Sequence, residues 1–502
     1  MSAIPRSARF AAILLLALGL RVWSLHDQSL TMDEISELRI AHGSAGSIVQ
    51  SKDGFPPLYH LLLSGWMRTF DSESSARWLA VFFGVLSIAA VERLGSRVGR
   101  PAVGLWSGAL LAISPFHIWY SQEGRSYGLF FLLATLALWT FLRALETDRR
   151  RDWALYALTA VAGLYTHYFF ALLLAVAAFI LALERRGWGE WRSPLAAHVA
   201  IAVLALPLIP LLEADFSYQA GYPERGAFGA PAFAYTYVSL LTGYSLGPSL
   251  RELHVLAPGT ALRSLLPWLI PLGAAAAVLL FYGYRELGRR NTVRRLLLLA
   301  LLPVLAVGLL SELGGVGYNV RYVLWVGLPF VVWLGAGAAR GWRQAAGRVG
   351  LLTLLILFGV ALYQRHQIDR YKNEDTRAVA AYLQSKENRF PVLVISSYMA
   401  APLSHYLEPG WPVYGLSKIE SARELDEVLA SIDRLAPHPG PYWLVYTRAF
   451  HGDPKGRLLD LLTERDGLRL VARFAGIDLY RSRDRDGSTA GGARVPPGTR
   501  DR

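Results

Sequence analysis

The sequence predicts a polytopic α-helical membrane protein that ends in a small α/β domain. Three observations carry this prediction. The chain is 53% hydrophobic with a mean hydropathy of +0.31, whereas soluble domains are about 45–50% apolar even with Gly counted. Apolar runs of membrane-spanning length recur from the N-terminus to about residue 364. Between them, the arginines gather in short loops, the pattern of the positive-inside rule.

A membrane-spanning helix needs roughly 17–25 mostly apolar residues. On that rule about eleven spans are expected. They lie near residues 4–25, 75–96, 102–118, 126–145, 152–166, 168–184, 196–212, 264–284, 296–312, 321–339 and 349–364. The first run follows Arg6 and Arg9 as a signal peptide would, but Arg21-Val-Trp-Ser-Leu25 is a poor cleavage site, so it reads as a retained anchor. Pro57–Phe70 is short for a span, follows Pro56-Pro57 and suits a helix lying in the interface.

With the N-terminus inside, the inner loops hold Arg93/Arg97/Arg100, Arg143/Arg149/Arg150/Arg151, Arg185/Arg186, Arg285/Arg289/Arg290/Arg294/Arg295 and Arg340/Arg343/Arg348. Every inner loop is then basic. The outer loops are residues 24–74, the turn near Ser121–Arg125, the turn at Thr166–Tyr168, Glu213–Arg263 and Ser311–Tyr322. These carry nearly all the unusual polar residues. The expected layout is a membrane domain over 1–365, an outer α/β domain over 366–485 and a disordered Gly/Pro/Arg-rich tail over 486–502. Within the α/β domain, Val392–Ser396, Tyr442–Tyr446 and Leu468–Phe474 read as strands, and Thr376–Gln384 and Leu425–Ile432 as helices.

Several function classes drop out. The absence of Cys removes disulfides, thiolate metal sites and cysteine nucleophiles. The net charge of +13 is accounted for by loop arginines, which argues against nucleic acid and for membrane lipid. There is no Walker loop, dinucleotide fingerprint, His-Glu-x-x-His or Gly-x-Ser-x-Gly.

The residues that could carry chemistry begin in the first outer loop, Leu30-Thr-Met-Asp33-Glu34-Ile-Ser-Glu37, with Asp53 further on before Pro56-Pro57. Adjacent carboxylates can take a proton from an acceptor hydroxyl or hold a divalent ion; they equally suit the first turn of a helix. Next comes Ser114-Pro-Phe-His117-Ile-Trp-Tyr-Ser-Gln-Glu123-Gly-Arg125-Ser-Tyr127. Polar groups packed between apolar runs are expensive near lipid and are usually paired or line a cavity. Arg125 could grip a phosphate bidentately, or with Glu123 could snorkel at a span end. His167 interrupts an apolar run, where a lone His is more often a structural hydrogen-bonder. Arg321-Tyr322 is either an anionic-lipid anchor or a second phosphate ligand.

The order of Asp33-Glu34, Pro56-Pro57-Leu58-Tyr59, the Ser114–Tyr127 block, Thr166-His167-Tyr168 and Arg321-Tyr322 resembles bacterial glycosyltransferase family 39 over about residues 5–365. That family is similar to the protein O-mannosyltransferases and, more distantly, to the aminoarabinose transferase of lipid A, all of GT-C fold. The resemblance implies a polyprenyl-phosphate-linked sugar as donor, and as acceptor a hydroxyl on protein, lipid or polysaccharide. It places the reaction on the outer face of the bacterial cytoplasmic membrane. It makes Asp33 the general base of an inverting transfer, with Glu34 orienting the acceptor or helping to hold a cation. Arg125 and Arg321 would hold the donor phosphate, with His117, Glu123, Tyr127, His167 and Tyr322 completing the donor site. No cofactor beyond a divalent cation at Asp33 and Glu34 is expected. Where the family usually reads His-Pro-Pro this chain has Phe55-Pro56-Pro57, so no role for that His carries over. Two other readings stand beside this one. One is a lipid-linked sugar transporter or flippase. The other is an envelope polysaccharide polymerase or ligase centred on Glu213–Arg263, with Arg251, Glu252 and His254.

Overall fold

The computed structural model describes residues 5–51, 54–184, 187–220, 228–288, 290–313, 317–436 and 440–483. Asp53, Arg185, Arg186, Arg289 and the tail expected over 486–502 lie outside them. The chain divides into two compact units: Met1–Gln28 with Asp33–Tyr371, and Ser29–Met32 with Lys372–Arg502.

The first unit is helical. Among the described residues, seven helices are long and apolar enough to cross a membrane: Ser75–Val98, Tyr127–Thr147, Gly189–Ala214, Pro258–Leu287, Arg290–Glu312, Val320–Gly341 and Ala345–Gln367. An eighth crossing results if Pro101–Ala112 and Pro115–Gln122, which meet at 60°, are one broken span. The break follows from local chemistry. Ser114 caps the second piece by accepting from the His117 N–H at 3.3 Å, and Pro115 at the first turn has no N–H to continue the preceding ladder. The other expected positions hold shorter helices: Arg6–Val22 of 17 residues, and Arg150–Leu164 and Phe170–Glu184 of 15 each. All the expected span positions are thus helical, but not all are straight helices of full spanning length. The expected interfacial segment is a helix at Leu58–Met67. The long loop expected over Glu213–Arg263 contains a further helix, Ala230–Thr242, and a capped turn at Leu250–Leu253.

What faces outward on this bundle is apolar. Leu195, Val199 and Val203 on one span and Ile270 and Ile356 on two others are more than half exposed. Such a surface is costly in water and at home in lipid, where helices gain nothing by hiding leucines from one another.

The second unit is built on a five-stranded sheet. Its strands are β1 Val392–Val394, β2 Val413–Gly415, β3 Trp443–Thr447, β4 Arg469–Phe474 and β5 Ile477–Arg481, in the order β2-β1-β3-β5-β4. β1 is parallel to β2 and β3, and β5 is antiparallel to β3 and β4. Side chains alternate between two cores, Val392, Val394 and Val445 on one face and Leu393, Ile395 and Leu444 on the other. The helices Thr376–Gln384, Ala422–Leu435 and Arg457–Asp466 belong to this unit. Two strands, β2 and β5, were not expected from the sequence. The distant segment Ser29–Met32 is also part of this unit: Ser29 Oγ donates to Asp375 Oδ1 at 2.9 Å and accepts from the Arg377 N–H, and the Leu30 N–H donates to Tyr406 Oη at 2.8 Å.

Candidate active site

The first acidic motif forms a helix, Met32–Ala41, with Asp33 and Glu34 in its first turn as the dipole favours. The helix separates its acids by burial. Glu34 and Glu37 are sealed, at 1% and 0% exposure, whereas the Asp33 side chain is 46% exposed.

Glu34 is held from two sides. Arg77, from the Ser75–Val98 helix, meets it bidentately, Nε to Oε1 at 2.7 Å and Nη2 to Oε2 at 2.9 Å. The Gly124 N–H donates to Oε1 at 2.9 Å. Arg77 also donates to the carbonyls of Leu25 and Gln28. Position 124 has to be glycine for this: a Cβ there would sit 2.8 Å from Ala76 Cβ.

Glu37 lies between His60 Nδ1 at 2.6 Å and Arg125 Nη1 at 2.9 Å. Arg125, only 3% exposed, also donates to the Asp33 carbonyl at 3.3 Å, and its guanidinium sits 4.4 Å over the Phe55 ring. A buried cation placed in this way is matched by a buried carboxylate and an aromatic face. Phe55 thus fills its position as a stacking surface.

A second group gathers around Asp33 and His167. Arg321 Nη1 is 3.4 Å from Asp33 Oδ2. His167 stacks on Phe130 at 4.4 Å and meets Phe55 edge-on at 5.2 Å. Burial, then the charges of Arg321 and Arg125, push the His167 imidazole down to about 3, so it is neutral at physiological pH. Its Nδ1 accepts the Phe169 N–H at 3.2 Å, which assigns the proton to Nε2. That Nε2 and the Tyr127 hydroxyl are buried and make no hydrogen bond among the described residues. Tyr322 stacks on Phe169 at 4.4 Å, beside His167. Burial, then the negative charges of Glu34 and Asp33, push the Glu123 carboxyl up to about 7, against the pull of Arg321 and Arg125. Among the described residues that carboxyl makes no hydrogen bond or ion pair.

The structure therefore gathers Asp33, Glu34, Glu123, Arg125, Tyr127, His167, Arg321 and Tyr322 into one neighbourhood. His117 lies apart. It faces the buried Arg21, whose Nη2 reaches its Nδ1 at 2.7 Å while the same guanidinium donates to the carbonyls of Ala17, Leu111 and Ala112. This locks the Arg6–Val22 helix onto the broken span. Sequence reasoning gave no site role to Glu37, His60, Arg77, Arg21 or Arg365; the last lies 3.8 Å over the Trp119 ring. Only His60 carried a signal, as an isolated imidazole inside the apolar run Leu58–Leu63; the others stand among polar residues or at the end of an apolar run.

Among the described residues, no group of three or more metal-ligating side chains converges. The Asp33–Glu34 pair does not fit a shared divalent ion, because Glu34 is committed to Arg77 and Gly124 while Asp33 turns to Arg321.

The helical bundle with its C-terminal sheet domain has the GT-C fold. Residues 55–212 match the family model described as dolichyl-phosphate-mannose-protein mannosyltransferase. ArnT from Cupriavidus metallidurans in the apo state is similar with a TM-score of 0.57 at 14% identity, over 94% of this chain and 97% of that one. The same protein bound to undecaprenyl phosphate gives 0.54 at the same identity and coverage. The Archaeoglobus fulgidus oligosaccharyltransferase in complex with Zn and sulfate gives 0.52 at 14% identity, over 91% of this chain and 70% of that one. No curated protein sequence matches.

Proposed function

We propose that this protein transfers a sugar from a polyprenyl-phosphate donor to an acceptor hydroxyl at the outer face of the membrane, with inversion. The observation that carries the reading is the contrast within one helix. Glu34 and Glu37 are consumed by buried partners, and Asp33 stays half exposed beside Arg321. An ArnT bound to undecaprenyl phosphate in the same fold supports a lipid phosphate as the leaving group.

In this proposal the donor phosphate draws Arg321 away from Asp33. The Asp33 carboxylate takes the acceptor's hydroxyl proton as the acceptor oxygen attacks the anomeric carbon. The bond from that carbon to the phosphate oxygen breaks on the opposite side, and the lipid phosphate leaves with the electron pair. Arg321 meets the developing charge, and the Nε2–H of His167 and the Tyr127 hydroxyl are donors without partners of their own. Arg125 acts through position, shaping the wall with Glu37 and Phe55. Glu34 is a positioning residue that fixes the helix carrying Asp33. No step is routed through a metal.

The test is release of sugar from a panel of polyprenyl-phosphate sugars by purified protein in detergent. Wild type should turn over one donor, and Asp33→Asn should lose at least a thousandfold in rate while remaining folded. Full activity in Asp33→Asn would remove the assignment of the base. Movement of intact donor across vesicles without cleavage would favour a transporter.

A further inference from the structure

A cavity of about 560 Å³ opens at the other end of the same helices that build the candidate active site. Its rim includes Arg97 at the end of Ser75–Val98, Glu146 at the end of Tyr127–Thr147, and Arg290, Asn291 and Arg295 at the start of Arg290–Glu312. The site residues Arg77 and Tyr127 occupy the opposite ends of the first two helices. At 1.5 Å per residue that separation is about 30 Å, one hydrocarbon thickness. The cavity therefore lies at the opposite membrane face, among the basic loops.

Its lining has two chemistries. Leu138, Leu142, Leu296 and Leu299 make an apolar floor, and three arginines against one glutamate make the rim. The rim is only partly neutralised within the protein. Arg97 pairs with Glu146, yet its Nε is buried without a hydrogen-bond partner. Arg295 is committed to Glu184 at 2.5 Å. Arg290 is exposed and makes no ion pair among the described residues.

We infer that this cavity is a binding site for one anionic phospholipid of the leaflet opposite the catalytic face. The phosphate would sit among Arg97, Arg290 and Asn291, with the first carbons of an acyl chain along the leucines. A free phosphate would satisfy the rim and leave the floor empty, and a zwitterionic lipid would fill the floor while gaining less at the rim. The volume suits a ligand of this size. This site is separate from the donor site and does not depend on the reaction proposed above.

The test uses native mass spectrometry of the full-length protein in detergent. It is titrated with phosphatidylglycerol, with phosphatidylcholine of identical chains, and with glycerol phosphate. One phosphatidylglycerol should be retained per chain at least tenfold more tightly than either alternative. Arg290→Gln should weaken it about fivefold, as expected for one cation near a phosphate, and Leu138→Trp should block it by filling the floor. Leu138 is buried, so the exposed Arg290 variant carries the test if the tryptophan variant fails to fold. Equal retention of the two phospholipids, equally tight glycerol phosphate, or unchanged phosphatidylglycerol binding in Arg290→Gln would overturn the inference.

Discussion

Asp33 and Glu34 are neighbours in sequence with opposite physical duties, and two measurements separate them. Glu34→Gln leaves Arg77 buried against a neutral amide, and breaking a buried pair of this kind costs about 3–5 kcal/mol. Detergent thermal unfolding should show a large fall in midpoint for that variant. Asp33→Asn, at a half-exposed ion pair, should change stability by no more than about 1 kcal/mol while removing activity. Glu123 supplies a pH signature. With its carboxyl near 7, it is mostly neutral below that pH and charged above it. A phosphodiester donor keeps its single negative charge throughout this range, so ionised Glu123 repels it. The donor KM should therefore rise as pH passes upward through about 7, approaching tenfold per unit. Glu123→Gln should abolish that dependence, and a flat wild-type profile would show that Glu123 does not face the donor.

At the scale of elements, the contact between the turn at 123–125 and the Ser75–Val98 helix decides whether the Glu34 site assembles. Gly124→Ala would place a methyl 2.8 Å from Ala76 Cβ and 3.3 Å from the Arg77 nitrogen. Overpacking of this kind costs about 1–3 kcal/mol, and the shift would pull the Gly124 N–H from Glu34. Both the unfolding midpoint and the transfer rate should fall. Gly46→Ala, with open space around it, should change neither. Elements were readable where periodicity was long. The Thr376–Gln384 helix stands at its expected limits, with Asp375 capping it through the Ala378 N–H. β2, Val413–Gly415, is partly exposed and ends in Gly, so no apolar run marks it, whereas the equally short β1 lies in the run Val392–Ile395. β5 does alternate, but ends close to a charged tail that masked its pattern.

Over the whole molecule, the polar residues scattered from Asp33 to Tyr322 meet because helices carry their ends to a shared level, which hydropathy alone makes legible. Their pairing was not. Glu37 finds His60 and Arg125, and Glu34 finds Arg77, only once the helices are packed. His117 shows the converse: it lies within the Ser114–Tyr127 block, yet packing turns it to Arg21. The chain also enters its sheet-bearing unit twice, first for Ser29–Met32 and then from Lys372 onward. A domain visited twice cannot be snipped off at one point or exchanged by a single graft. A chain ended at Tyr371 would leave Ser29 and Leu30 without Asp375, Arg377 and Tyr406, and three residues beyond Leu30 stands Asp33. Any exchange of the sheet-bearing unit has to carry both pieces, and the shorter one adjoins the proposed base.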